Sequence, residues 1–390
     1  MTAAILLELL VPFVRWLHIA AAAVWFGTTL RGLTIRDRLE ASGWRTPVLL
    51  AEGGQFYALE MRPGPEPRSA FLPLRWSAYF TCLAGYLLLA EGYWLEPLPR
   101  LMGADGPFPE SWMAVATAAA VPIVGYLLYE LLCRLAARLP EPLAAAVFGI
   151  ALVATGRLLL AIFVPRAAFV HLGVLLATCM AANVGHHFAP CERKLAELVA
   201  AGRPPSHPCR QRAALRLRHN AYAMPVALAL MMAGRMPLWL PPASPTLFLS
   251  GLVLTGFAIA DLLAHRRHRP RRARLAAMGL FLGLLAIIQA ALPPSSIRGP
   301  AAEPPQLSDV FAVIQRRCLA CHSQAAPRGP AGGLALDRPE AVAQNARAVA
   351  FAAGYGASMP PGNLTGIDVA ERALLRRFFE SGTAAGGEDW

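Results

Sequence analysis

The chain has 390 residues, of which 56% are hydrophobic and 15% charged, with a formal net charge of +12 at pH 7. That balance excludes an ordinary soluble domain, because apolar runs of about twenty residues, the length that crosses a bilayer core, recur along it. The positive charge argues for membrane topology rather than nucleic acid, since the arginines cluster in short stretches between the apolar runs.

Taken in order, the apolar runs predict eight membrane-spanning helices in an all-α bundle. The first, 3–27, carries Glu8, Arg15 and His18. It has no basic residue ahead of it and polar residues inside it, so it reads as an uncleaved helix rather than a signal peptide. A polar segment follows at 31–75, containing Glu52-Gly53-Gly54-Gln55-Phe56-Tyr57, where the glycines permit close backbone approach. Spans 2 to 8 are expected at 76–94, 112–133, 142–164, 167–189, 219–240, 245–264 and 275–292.

Most arginines lie in the stretches joining spans 1 to 2, 3 to 4, 5 to 6 and 7 to 8, whereas the alternate stretches hold Arg100 and Arg166, with Arg235 near the end of span 6. The positive-inside rule makes the first set cytoplasmic and places the N-terminus and everything after span 8 outside. Cys82, Cys133, Cys179, Cys191 and Cys209 then fall in spans or on the cytoplasmic side and are expected to be free thiols.

Ionisable groups inside a bilayer are costly and mark a pathway, a cofactor or a substrate site. His18 and Arg15 lie near mid-depth in span 1, with Trp25 two turns below His18, and His171 lies in the outer part of span 5. One reading makes His18 and His171 axial ligands of a b-type haem; the other hydrogen-bonds each between helices. Arg157 and Glu8 pair with each other or with haem propionates.

A second group gathers at the cytoplasmic ends: Tyr129 and Glu130 in span 3, Asn183, His186 and His187 in span 5, and Arg218, His219, Asn220 and Tyr222 in span 6. Amide, guanidinium, imidazole and aromatic groups together suit a planar, anionic heterocycle rich in hydrogen bonds. Interfacial anchoring of helix ends accounts for the same residues. A metal site of His186, His187, Cys191, His207 and Cys209 is a third reading, with irregular spacing.

After residue 292, a proline-rich linker at 293–305 leads to a domain at 306–390. It carries Cys318-Leu319-Ala320-Cys321-His322, the c-type haem attachment spacing. The thiols bond the haem vinyl carbons, and the imidazole sits under the iron. A zinc site would need a second ligand pair, and thioredoxin chemistry a βαβ pattern, and neither follows. Met359, in Ser358-Met359-Pro360-Pro361, lies in a loop stiff enough to hold a thioether on the iron's other face. Helices expected at 307–317 and 369–380 complete a small helical cytochrome c. Its haem is attached in the periplasm, which agrees with the arginine argument.

The order of segments resembles the bacterial membrane-bound urate oxidase (urate hydroxylase) family. The resemblance rests on Arg15-Trp16-Leu17-His18, Trp25-Phe26-Gly27, Gly53-Gly54-Gln55-Phe56-Tyr57 and the stretch 125–134. His171-Leu172-Gly173, Met180 to Val184, Arg193-Lys194 and His219-Asn220-Ala221-Tyr222 add to it. That family joins an eight-helix urate oxidase domain to a cytochrome c. The resemblance implies oxidation of urate to 5-hydroxyisourate, with electrons passed to the cytochrome rather than to peroxide. The family's His-Gly-Gly-Gly-Phe-Tyr pattern reads differently here, with Glu52 at the histidine and Gln55 at the third glycine. A carboxylate there changes the pKa at which a base is activated.

The resulting expectation is a bacterial inner-membrane oxidoreductase. Arg218, His219, Asn220 and Asn183 hold the anion, and Glu130, Glu52 or His219 acts as base. Electrons leave by a haem on Cys318 and Cys321, with His322 and Met359 as its iron ligands, for a terminal oxidase or a soluble acceptor. Two other classes fit the residues: a quinol-to-cytochrome electron-transfer subunit, and a haem-bearing transporter or sensor.

Overall fold

A helix that is apolar on every side is stable only where neighbours surround it. α6 (Pro165–Ala182) has such a sequence, and it is the central pillar of the N-terminal part, burying Phe169, His171, Leu172 and Met180 among others. Packed on it are α2 (Leu72–Leu89), α4 (Ser111–Leu135), α5 (Glu141–Ile162), α8 (Cys209–Ala233) and, through Phe248, α9 (Pro245–His265), while α1 (Ala3–Ala41) packs on α2 and α10 (Pro270–Ala291) on α9. The computed structural model describes residues 3–41, 48–52, 55–59, 72–103, 106–203, 207–233, 244–265, 270–291, 305–327, 329–356 and 358–381.

The outer helices carry their large apolar residues outward: Phe13 and Ile19 on α1, Ile123 and Leu127 on α4, Ile150 on α5 and Phe281 on α10 are all exposed. In water such a surface would be an aggregation liability; in hydrocarbon it is the expected outer face. Among the described residues, six helical stretches are long and apolar enough to cross a bilayer: 10–32, 111–138, 141–162, 165–200, 245–263 and 271–290. α2 and α8 are helices where spans 2 and 6 were expected, but they fall outside that set.

Small residues let these helices approach closely. A Cβ at Gly251 of α9 would stand 2.8 Å from the Gly283 carbonyl of α10, so the seam closes only because both positions lack side chains.

Three boundaries differ from the sequence expectation. Residues 191–218, expected as a loop, are largely helical: α6 continues through a π-helical turn, Asn183–Phe188, into α7 (Ala189–Ala200), and α8 begins at Cys209 rather than at 219. Arginine in such a stretch marks a membrane boundary without breaking a helix. The polar segment after span 1 holds the last part of α1 and an antiparallel hairpin of β1 (Val48–Glu52) and β2 (Gln55–Leu59), pairing Val48 with Leu59 and Glu52 with Gln55. This hairpin is the departure from the all-α expectation. The side chains of Glu8 and Glu52, residues 53–54, the end of span 6 at 234–240, the basic run 266–269 and the proline-rich 293–304 lie outside the described residues.

The C-terminal part has its own core. Val310, Val313 and Ile314 of α11 (Leu307–Arg317) pack with Val342 of α13 (Pro339–Gln344) and with Leu375 and Phe378 of α15 (Val369–Glu380). α11 and α15 occupy the ranges expected from periodicity. α12 (Leu319–His322) is a single turn, and α14 (Ala346–Val349) runs into a π-helical turn ending at Tyr355. α15 starts with a capping box, in which Asp368 and Glu371 satisfy each other's backbone amides. This part meets the N-terminal part where Gly103, just after α3 (Pro97–Arg100), approaches the turn Pro361–Asn363: a Cβ at Gly103 would lie 3.1 Å from the Gly362 carbonyl.

Candidate functional site

The π-helical turn at Asn183–Phe188 inserts an extra residue into the α6–α7 helix, a feature frequent at functional sites. It turns Asn183 inward while bringing His186 and His187 toward α4. Asn183 Nδ2 donates to Tyr129 Oη at 2.9 Å and to Asn220 Oδ1 at 2.8 Å, and Asn220 Nδ2 donates to the Met180 carbonyl at 2.8 Å. Tyr129 Oη in turn lies 2.9 Å from His219 Nδ1. Both asparagines are buried, so this chain of amide, phenol and imidazole runs through the helix packing rather than over its surface.

A charged group adjoins it. Arg216 Nη2 donates to Glu130 Oε2 at 2.7 Å, Arg216 Nη1 lies 2.8 Å from Cys133 Sγ, and the guanidinium stands 5.0 Å over the Tyr129 ring. His187 Nε2 is 3.2 Å from the other Glu130 oxygen, and Tyr126 Oη is 2.8 Å from His186 Nδ1. Both oxygens of Glu130 are thus engaged within the protein.

Of the expected substrate-site residues, Glu130, Asn183, His219 and Asn220 are brought together. Arg218 instead forms an ion pair with Glu141 at 3.2 Å, which also lies 3.6 Å from Arg272. The side chain of Glu52 lies outside the described residues. Arg216 is the residue that sequence reasoning missed. It precedes His219 by one helical turn and so shares its face, a spacing that becomes visible once α8 is known to begin at Cys209.

Cys191 and Cys209 are not free thiols: they form a disulfide with Cα atoms 5.6 Å apart, joining the starts of α7 and α8. That removes both sulfurs from the metal-site reading, and His207 Nδ1 accepts the Cys209 amide at 3.2 Å. Among the described residues there is no group of three or more metal-binding side chains. Cys82, Cys133 and Cys179 remain free.

Of the two histidines expected as haem ligands, His171 leaves no ring nitrogen free for an iron, while His18 is engaged through Nδ1. His171 has both ring nitrogens engaged, Nδ1 with the Ala167 carbonyl at 2.8 Å and Nε2 with the Trp94 indole at 3.3 Å, and it stacks on Phe163 at 5.5 Å. His18 donates from Nδ1 to the Thr81 carbonyl at 2.9 Å and lies against Gly85, where a Cβ would come within 3.0 Å of its ring. Each serves as a hydrogen-bonded helix contact.

In the C-terminal part, the motif residues do fit a covalently held haem. Cys318 and Cys321 are free, and Cys321 is exposed. Burial, with Cys321 beside it, pushes the Cys318 thiol up to about 11, so it is neutral. His322 Nδ1 lies 3.0 Å from the Leu334 carbonyl; a carbonyl only accepts, so Nδ1 carries the proton and Nε2 presents its lone pair. The backbone of Met359 is held on both sides, its amide donating to Ala352 at 3.0 Å and its carbonyl accepting from Arg372 at 2.9 Å, while its side chain is exposed.

Neither a curated protein sequence nor a solved structure matches the chain. The profile of the urate oxidase N-terminal family does, over residues 4–291, the whole helical part that holds the Asn183, Asn220 and His219 network. The chain therefore belongs to the urate oxidase N-terminal family.

Proposed function

We propose that the protein is a membrane-bound oxidoreductase that converts urate to 5-hydroxyisourate and passes the electrons to a c-type haem on its own C-terminal domain. The observation that carries this reading is the family match over 4–291: the matched region contains the amide, phenol, imidazole and guanidinium network. The reaction joins one water oxygen to urate and releases two electrons and two protons. Substrate binding therefore needs an anion site, and turnover needs a proton acceptor.

Arg216, together with Asn183 and Asn220, supplies the polar lining for a planar anion. Glu130, engaged by Arg216 and His187, acts as the anchor for the guanidinium rather than as the base. His219 is the base in the tautomer that donates from Nδ1 to Tyr129, which leaves Nε2 as the acceptor for substrate or water. Arg218 adds positive charge beside His219. Cys318, Cys321, His322 and Met359 would hold the haem. Bound there, the haem supplies a one-electron acceptor.

The bundle spans the inner membrane eight times, α2 and α8 included. The arginine distribution supports a cytoplasmic site and a periplasmic cytochrome, from which a terminal oxidase or a soluble acceptor takes the electrons. The test is urate consumption by the purified full-length protein with an external electron acceptor, comparing wild type with His219→Gln. Urate loss that depends on His219 supports the reading. Equal rates in both remove His219 from the site, and no urate loss in either removes the activity.

A further inference from the structure

Among the described residues, two buried polar atoms of the N-terminal part have no partner: Asn183 Oδ1, an acceptor, and Trp25 Nε1, a donor. Trp25 is fully buried, and Asn183 is 1% exposed. A buried polar group without a hydrogen bond costs about 1–3 kcal/mol, so such pairs call for a missing partner.

The Asn183 orphan is not a matter of amide orientation. Asn220 must point its nitrogen at the Met180 carbonyl, which leaves Asn220 Oδ1 to accept from Asn183 Nδ2. Asn183 Nδ2 also donates to Tyr129, so both of its hydrogens are used and Oδ1 is the atom left over. Trp25 belongs to the same buried cluster as Met180, Ala181, Val184 and Met224, residues that flank Asn183 and Asn220 in sequence. The remaining orphan, Thr255 Oγ1, belongs elsewhere, in the α9–α10 seam against Gly283.

We infer that Trp25 and Asn183 form a paired donor and acceptor for one edge of a cyclic ureide or lactam, with the indole N–H donating to a ring carbonyl and Asn183 Oδ1 accepting from the adjacent ring N–H. Urate carries such edges, so the inference rests on the urate reading and adds Trp25 as the residue that selects for them. It assigns specificity to the first helix, where the proposed chemistry places none. A site built to hydrogen-bond such an edge rejects analogues that lack it far more strongly than a hydrophobic slot does.

The test is equilibrium dialysis of radiolabelled urate against the full-length holoprotein, kept reduced and anaerobic so that no turnover occurs. Trp25→Phe keeps a ring and loses the donor, and it is expected to weaken urate binding at least tenfold at an unchanged melting temperature. Binding as tight as wild type overturns the inference while leaving the urate reading intact. If Trp25→Phe does not fold, competition by the four monomethylurates against wild type decides. A tenfold or greater loss for at least one supports the paired edge, and four affinities equal to that of urate overturn it. A wild-type protein that retains no urate takes down both readings.

Discussion

The Arg216 guanidinium donates to the Glu130 carboxylate at 2.7 Å, across the face where α4 and α8 meet. The pair is mostly buried, with side chains 10% and 18% exposed. Removing one partner leaves the other charge without compensation, which costs about 3–5 kcal/mol. Arg216→Ala is therefore expected to lower the melting temperature of the detergent-purified protein by several degrees and to abolish urate binding. Arg216→Lys restores little, because an ammonium cannot reach Glu130 and Cys133 together in the same fork geometry. A melting curve unchanged by Arg216→Ala would remove the pair from the structural core.

His219 is expected to matter to rate more than to folding. His219→Gln should reduce turnover by about 10²–10⁴-fold, the range for loss of a positioned base, with urate affinity nearly retained. Tyr129→Phe removes the Nδ1 partner without removing the base, so its effect on turnover should be smaller. Single-turnover reduction of the holoprotein by urate separates the two, and a larger loss in Tyr129→Phe than in His219→Gln would contradict the assignment.

The Cys191–Cys209 disulfide joins residues 18 apart in sequence, a loop whose closure contributes about 3 kcal/mol in the chain-entropy account. Cys191 is 4% exposed, which shields its sulfur from reductant. Alkylation in denaturant without reductant should label Cys82, Cys133 and Cys179 and spare Cys191 and Cys209, with the labelled peptides read by mass spectrometry. Labelled Cys191 and Cys209 would refute the bond.

The acid stability of the C-terminal domain should depend on Glu371. Burial raises its carboxyl, but the Asp368 amide and the Arg317 and Arg316 guanidiniums outweigh burial and hold it below its ordinary value. A depressed folded value contributes stability that is complete above about pH 4.5 and is lost as pH falls through the lower folded value. Glu371→Gln should thus lower stability at pH 7 and flatten the acid limb, measured by denaturation between pH 7 and 3 and followed at the domain's aromatic signal. An acid limb as steep as wild type's would contradict it.

The apolar runs were legible because they rest on composition alone. The ranges 307–317 and 369–380 were legible from periodicity. What was not legible depends on partners distant in sequence. The start of α8 at Cys209 hid behind an arginine-rich stretch that reads equally as loop, and with it went the shared face of Arg216 and His219. The π-helical turn at Asn183–Phe188 adds one residue to a helix without any change in hydropathy. The engagement of His171 by Trp94 depends on how α2 continues beyond Leu89, which the span boundaries do not encode. That Asn183, Asn220, Glu130 and His219 gather in one hydrogen-bonded region was legible because polar groups at helix ends are few in an apolar sequence.

The most direct measurement is anaerobic addition of urate to the purified, oxidised full-length protein while the α-band of its cytochrome c is recorded. The account predicts that the reduced band appears at a catalytic rate and that His219→Gln slows it. A band that stays flat with urate, while a quinol reduces the same haem, would contradict it and would leave the chain an electron-transfer protein of this family without urate chemistry.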